Sequence, residues 1–335
     1  MRKTILTILQ YILFLGLGVW IIYHMLHQLD ASKKAELADA ITNANIWYLL
    51  PVFIIGFFSH FFRAVRWRYL LETVELKPSL TNTTFAVLIG YIANLALPRA
   101  GEVAKCTVLA RYEKMPAHKM IGTIVAERAF DMVSLGVIAV LAFALQMQFV
   151  SEYVNSITGA LHSKFESSKM LLLILAVAGL IMIPVAVMLY RRHKETKIGK
   201  FVKELMHGIF SIIHMKKRWQ FLGYTCLIWF MYLLQLYIGF RCLPETAHLS
   251  MSTALIVLVY GSLGMIVTPG GIGLYTLLVA QMLVAYNVDI VPAQAFGWIA
   301  WLAQTAVIIV LGLVSLLAIH PYNKKKNGQT SVDTA

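Results

Sequence analysis

The feature that most limits this chain is a series of long apolar runs, roughly 4–26, 46–67, 120–148, 170–190, 219–240 and 293–319. Each holds about the 20 residues that a helix needs to cross about 30 Å of hydrocarbon. Inside lipid every backbone N–H and C=O must find its partner within the protein, so such runs fold as helices. Composition agrees: 59% of the 335 residues are hydrophobic and 13% are charged, against about 25% charged in a soluble domain. The expected class is an all-α polytopic membrane protein. Met1-Arg2-Lys3 precedes an apolar run from Ile5 to Ile22, longer than the roughly 7–15 residues of a signal-peptide core. It reads as a retained first helix.

Charge is distributed as a membrane requires. Lys and Arg crowd the segment from Arg191 to Arg218 against only Glu195 and Glu204, which makes that loop cytoplasmic by the positive-inside rule. Arg2-Lys3, the Arg63/Arg66/Arg68 cluster and Lys324-Lys325-Lys326 belong on the same side, so both termini are expected in the cytoplasm of a cell (inner) membrane protein. Segments 27–45, 149–169, 241–250 and 287–292 face outward. The net charge of +13 therefore serves orientation and implies no nucleic acid. From Ile198, apolar residues recur at Phe201, Val202, Leu205, Ile209, Ile212 and Ile213, a basic amphipathic helix for the cytoplasmic leaflet. Cys106, Cys226 and Cys242 are scattered and odd in number, giving neither a disulfide framework nor a metal site. No cofactor is implied.

Two further apolar stretches, about 82–112 and 251–286, are broken near their middles by Pro98 and Pro269. The orientation closes if each enters and leaves on one face, as a re-entrant hairpin; eight short full spans are the alternative. Gly90 precedes Pro98 by eight residues and Gly261 precedes Pro269 by eight, and 269 − 98 = 261 − 90 = 171. The same offset puts span 46–67 on 217–238 and span 120–148 on 291–319. Three spans and a hairpin per half make an odd number of crossings, so the second copy is inverted, the plan of many transporters. The expectation is one membrane domain over 1–320. Its repeats are 1–150 and 170–320, the amphipathic segment is 191–218, and 321–335 is a cytoplasmic tail.

The polar residues inside these stretches carry the chemistry. After Pro98 the chain restarts as a helix near Gly101, pointing free N–H groups and a positive dipole end inward, with Arg99 beside them and Asn94 and Glu102 close in sequence. That combination suits an anion, most naturally phosphate or carboxylate. Pro269, Gly270, Gly271 and Gly273 repeat the break from the other side, where glycines serve either a ligand or close helix packing. Glu127 and Asp131 are i, i+4 neighbours with Arg128 between them, placed roughly at mid-membrane, where ionisable residues form ion pairs or proton-coupling sites. Arg63 and Arg66 share a face near the cytoplasmic boundary and form the mouth of an anionic-lipid path or snorkelling anchors. His60 beside them reads as a packed core histidine.

Together "RWRYLL", Asn94-x3-Pro98-Arg99-x-Gly101-Glu102, Glu127-Arg128-x2-Asp131 and "PGGIG" resemble the membrane region of lysylphosphatidylglycerol synthase and its stand-alone, flippase-like relatives. The resemblance runs over nearly the whole chain and implies a module that moves lipid between leaflets. The full-length synthases carry a soluble aminoacyl-transferase domain after the membrane part. Here about fifteen residues follow Ile319, so no aminoacyl transfer, and no enzyme activity, is expected. The family often has an acid where Thr276 stands. The expected partners are membrane lipids, with an anionic phospholipid or polyprenyl phosphate as substrate. The alternatives are an intramembrane polyprenyl-phosphate phosphatase and a scaffold for a lipid-modifying partner.

Overall fold

The structure is a computed structural model that describes residues 2–27, 29–96, 100–146 and 215–332, with side chains for 15–27, 29–95, 100–146 and 215–326. Pro98, Arg99, the expected span 170–190 and nearly all of the amphipathic segment 191–218 lie outside the described residues. Among those described there is no strand. The helices are α1 (Arg2–His27), α2 (Ala31–Thr42), α3 (Leu49–Glu72), α4 (Leu80–Ala96), α5 (Ala100–Glu113), α6 (Ala117–Leu145), α7 (Arg218–Gly239), α8 (Met251–Val267), α9 (Leu274–Ala285) and α10 (Ile290–Val332). By length and hydropathy α3, α6, α7 and α10 are each able to cross a bilayer, whereas α4, α8 and α9 are shorter apolar helices. The chain is an all-α polytopic membrane protein.

Two compact units divide it, residues 1–124 with 219–335, and residues 125–218. In the first unit α3 and α7 run antiparallel. Asn45 N–H donates to the Cys242 carbonyl at 2.8 Å, and Gln235 Nε2 to the Val52 carbonyl at 3.0 Å. Further along, Arg63 meets Tyr232 and Arg66 meets Thr225. These are the two helices that the offset of 171 makes equivalent, and an inverted repeat requires such a pair to run in opposite directions.

Each broken stretch is a hairpin whose arms lie side by side. The first closes at its base, where Glu113 at the end of α5 accepts from Ser79 Oγ and from Asn82 Nδ2 at 2.6 Å. Its arms cross at Gly90 and Gly101, where a Cβ on Gly90 would lie 2.8 Å from the Gly101 carbonyl oxygen. In the second, a Cβ on Gly261 would lie 2.8 Å from the Tyr275 ring. Two glycines 171 residues apart thus do the same work, letting the returning arm lie against the first. The second base leads directly into α10, since α9 ends at Ala285 and α10 starts at Ile290.

Helix α10 carries both hairpins. Its 43 residues span about 65 Å at 1.5 Å per residue, longer than the 293–319 span expected from sequence. The segment read as a tail from residue 321 is helical to Val332. Pro321 removes one N–H from that helix, and the helix continues because its far end is tied down. Asn323 exchanges amide hydrogen bonds with Asn82 at 2.9 and 2.8 Å, and Lys326 pairs with Glu113 at 3.8 Å.

Helix α2 occupies a segment read from sequence as loop. Asp30 caps it by accepting from the Lys33 N–H at 2.8 Å, one of the orphan donors of a helix start. Leu37, Ala38 and Ile41 face Ile22 and Leu26 of α1 and Trp298 and Leu302 of α10 across a cavity of about 360 Å³. Three helices, α3, α5 and α9, end alike on left-handed residues: Glu75, Lys114 and Asn287 have φ of 64°, 53° and 63°. In each, the next N–H returns to a carbonyl five residues back, from Leu76, Met115 and Val288 respectively. This is the Schellman closure.

In the second unit, residues 125–145 continue α6 as helix. Glu127 there is buried, Asp131 half-buried and Arg128 exposed.

Candidate functional site at the hairpin tips

The two tips meet. Gly270 faces the first hairpin, where a Cβ on it would lie 3.5 Å from Leu95 Cδ2. Along α10 the second tip is held at Trp301, whose Nε1 donates to the Gly270 carbonyl at 2.8 Å. The first hairpin is held at Gly312, which lies against Ile92 and the Leu88 carbonyl. The bases lie toward opposite ends of α10, near Ile290 and Asn323. Two hairpins therefore enter from opposite ends and touch in between.

The tips differ in what they offer. Asn94 Oδ1 accepts the Gly101 N–H at 2.8 Å, so Asn94 caps the start of α5 and consumes one donor that the sequence reading left for a ligand. Glu102 follows in the first turn of α5, favourably placed against the positive helix end. In the second tip most of the glycine run is explained by packing. A Cβ on Gly271 would strike Met265 Sδ, and one on Gly273 would strike the Gly18 carbonyl oxygen of α1. At Gly273, φ is 73° and ψ −49°, and Leu274 N–H reaches the Ile272 carbonyl at 2.8 Å. This is a γ-turn that glycine adopts at least cost. Pro269 opens the turn that ends α8.

Two buried cations lie on α3 and a half-buried one on α5. Arg66 is 0% exposed and Arg63 9% exposed. Arg63 Nε donates to Tyr232 Oη at 2.8 Å, and Arg66 Nη1 to Thr225 Oγ1 at 3.2 Å, with the Arg66 guanidinium 5.4 Å from the Phe221 ring centroid. Lys105, one turn after Glu102, stands 3.9 Å from the ring centroid of Trp67. That indole is itself fixed by Nε1 donating to Thr123 Oγ1 at 3.0 Å. Aromatic faces and hydroxyls stabilise these cations in place of water. Arg63 and Arg66 are therefore built into the protein interior rather than snorkelling from it. Glu127, Arg128 and Asp131 share α6 in the second unit, with Glu127 buried and Arg128 turned outward.

Sequence reasoning passed over Lys105 as a site residue, and over Tyr232, Trp301 and Glu113. Lys105 carried a signal, because a lysine one turn beyond Glu102 in an apolar stretch needs a partner. The others depend on contacts between residues far apart in the chain.

Comparison with known proteins bears on the same region. The chain is 22% identical over 343 aligned positions, 98% of each chain, to a UPF0104 membrane protein of Methanocaldococcus jannaschii. No solved structure matches it. The family model described as the lysylphosphatidylglycerol synthase TM region matches residues 8–312, taking in both hairpins, α3 and α7. The chain belongs to the lysylphosphatidylglycerol synthase TM region family.

Proposed function

We propose that the protein moves an anionic phospholipid or polyprenyl-phosphate headgroup between leaflets of the cell membrane, with both termini in the cytoplasm and without catalysis. The observation that carries the reading is the meeting of two hairpins based toward opposite ends of α10, Leu95 against Gly270. Opposed hairpins bring a broken backbone to mid-membrane from both sides, where backbone polarity is tolerated only in protein or beside a wet path. Buried Arg63 and Arg66 on α3, which packs against α4, and half-buried Lys105 on α5 supply positive charge beside the first hairpin, and the sequence adds Arg99 between α4 and α5. A headgroup leaving water needs several kcal/mol of compensation, and cations with helix N-termini supply it. The tails remain in lipid. Glu127 and Asp131 are the groups to couple movement to protons.

The test is exchange of labelled lipids between leaflets of proteoliposomes, with phosphatidylglycerol, an aminoacylated phospholipid and a polyprenyl phosphate, with and without a pH gradient. The expected result is exchange above empty liposomes for at least one of them, abolished in Arg99→Ala. Proton dependence is expected to disappear in Glu127→Gln and Asp131→Asn. Rates equal to empty liposomes across the panel sink the reading. Sustained phosphate release from the polyprenyl phosphate replaces it with an intramembrane phosphatase.

A further inference from the structure

His60 lies on α3 one turn before Arg63. Its side chain is 3% exposed, and among the described residues neither Nδ1 nor Nε2 has a hydrogen-bond partner. The ring packs against Tyr91 of α4, with centroids 4.8 Å apart and planes at 47°. The nearest hydroxyl in sequence, Ser59 Oγ, is committed to the Gly56 carbonyl at 2.7 Å. Burial thus fits the core histidine read from sequence, and the hydrogen bonding does not.

A buried polar group without a partner is costly, and native interiors rarely keep one. Phenylalanine or leucine would fill the space beside Tyr91 without that cost. An imidazole always presents at least one N–H, and in its neutral form one acceptor as well. It is therefore suited to a group that arrives. The charge nearest along the helix is that of Arg63, one turn on and buried, which disfavours a cation beside the ring and favours an anion. A tetrahedral anion directs oxygens several ways and meets donors about 4.5 Å apart along one helix face, three residues at 1.5 Å each.

We propose that His60 is a phosphate ligand, forming with Arg63 a subsite on α3 between Tyr91 of α4 and Tyr232 of α7. It lies on α3, separate from the glycines of the tips. The proposal rests on the phosphate-bearing substrate of the functional reading, and it makes His60 the residue that hydrogen-bonds a phosphate oxygen as the headgroup passes.

The test measures melting temperature in detergent for wild type, His60→Phe, His60→Leu and His60→Asn. The probes are short-chain phosphatidylglycerol, short-chain diacylglycerol and inorganic phosphate. A ligand that binds only the folded state raises the melting temperature by mass action. Without ligand, the apolar variants are expected to melt no lower than wild type. With phosphatidylglycerol, wild type shifts upward, the apolar variants bind about tenfold more weakly or worse, and His60→Asn, which keeps an N–H, recovers part of the shift. Diacylglycerol shifts none of them. A shift with inorganic phosphate of the same His60 dependence supports the subsite and assigns it to the free ion. Phosphatidylglycerol affinity unchanged in both apolar variants overturns the proposal, and so does a wild type that shifts equally with diacylglycerol. Leaflet exchange in the same variants separates the two readings. Exchange unaltered in His60→Phe removes His60 and leaves translocation standing. His60-dependent binding without any exchange in wild type keeps the subsite and removes translocation.

Discussion

Asn82 and Asn323 are 241 positions apart and exchange two amide hydrogen bonds, 2.9 and 2.8 Å long. The pair is closed on every donor: the second N–H of Asn82 goes to Glu113, and that of Asn323 to the Ile319 carbonyl. It ties the base of the first hairpin to the far end of α10. Losing a partner at a buried polar site costs about 1–3 kcal/mol. Asn82→Ala and Asn323→Ala should each destabilise by that amount. The double variant should cost less than the sum, because each single change already breaks the exchange. Denaturation of the four proteins in detergent reads the coupling; strict additivity would show that the pair contributes no joint term.

Gly101 is closed in by the Gly90 carbonyl and the Asn94 side chain, whereas Gly122 and Gly223 have nothing within 4 Å of a built Cβ. Gly101→Ala should cost about 3 kcal/mol or more, or prevent folding, because the obstacle is backbone. Gly122→Ala and Gly223→Ala should be neutral or stabilising by up to about 1 kcal/mol, the helix-propensity gain. The check is melting temperature for all three, together with the yield of monodisperse protein.

Trp301→Phe keeps the ring and removes the N–H that reaches the Gly270 carbonyl. A loss of about 1–2 kcal/mol is expected. Cysteine placed at Leu95, which faces that tip, should also react faster with a thiol reagent in the Trp301→Phe background. Equal labelling rates would show that the indole does not position the tip.

The start of α2 should respond to acid in one direction only. The Lys33 N–H and then the Ser32 hydroxyl bond the Asp30 carboxylate and hold its pKa below the ordinary 3.8. A depressed carboxylate stabilises above its unfolded value, and the contribution fades as pH falls through the lower folded value. Helix α2 should therefore be indifferent to pH between about 5 and 8 and loosen only below about pH 4. Asp30→Asn should keep the cap and abolish the acid response, while Asp30→Ala should loosen the helix at every pH. Labelling of a cysteine at Leu37, buried on the inner face of α2, reports it.

Much of this architecture was legible from hydropathy and spacing. Lipid leaves the backbone few options, so the spans that form α3, α6, α7 and α10, the interruption between Ala96 and Ala100 and the break at Pro269 announce themselves, and the offset of 171 pairs α3 with α7. Helix α2 was missed because its apolar set, Leu37, Ala38 and Ile41, is short and sits among charges, although Asp30 marks its start. The extension of α10 was missed because Pro321 ordinarily ends a helix, and only distant Asn82 and Glu113 show why it does not. The tip chemistry was half visible. Asn94 was singled out as a substrate-binding residue, and its Oδ1 also closes α5 on Gly101. Such pairings depend on three-dimensional proximity that no local pattern encodes.

Trp301, Gly312 and Asn323 follow one another at equal intervals, since 312 − 301 = 323 − 312 = 11. Eleven residues make just over three whole turns, so the three positions stay in phase along one strip of α10, drifting only about 20° per step. The first hairpin's base and arm and the second hairpin's tip are thus threaded on a single line. Their alignment is a matter of counting rather than of chemistry. Adding one residue between Trp301 and Gly312 would preserve every side chain and still swing one hairpin's anchorage about 100° around the shaft from the other's. Where the two tips meet is therefore set by the winding of a helix that forms neither.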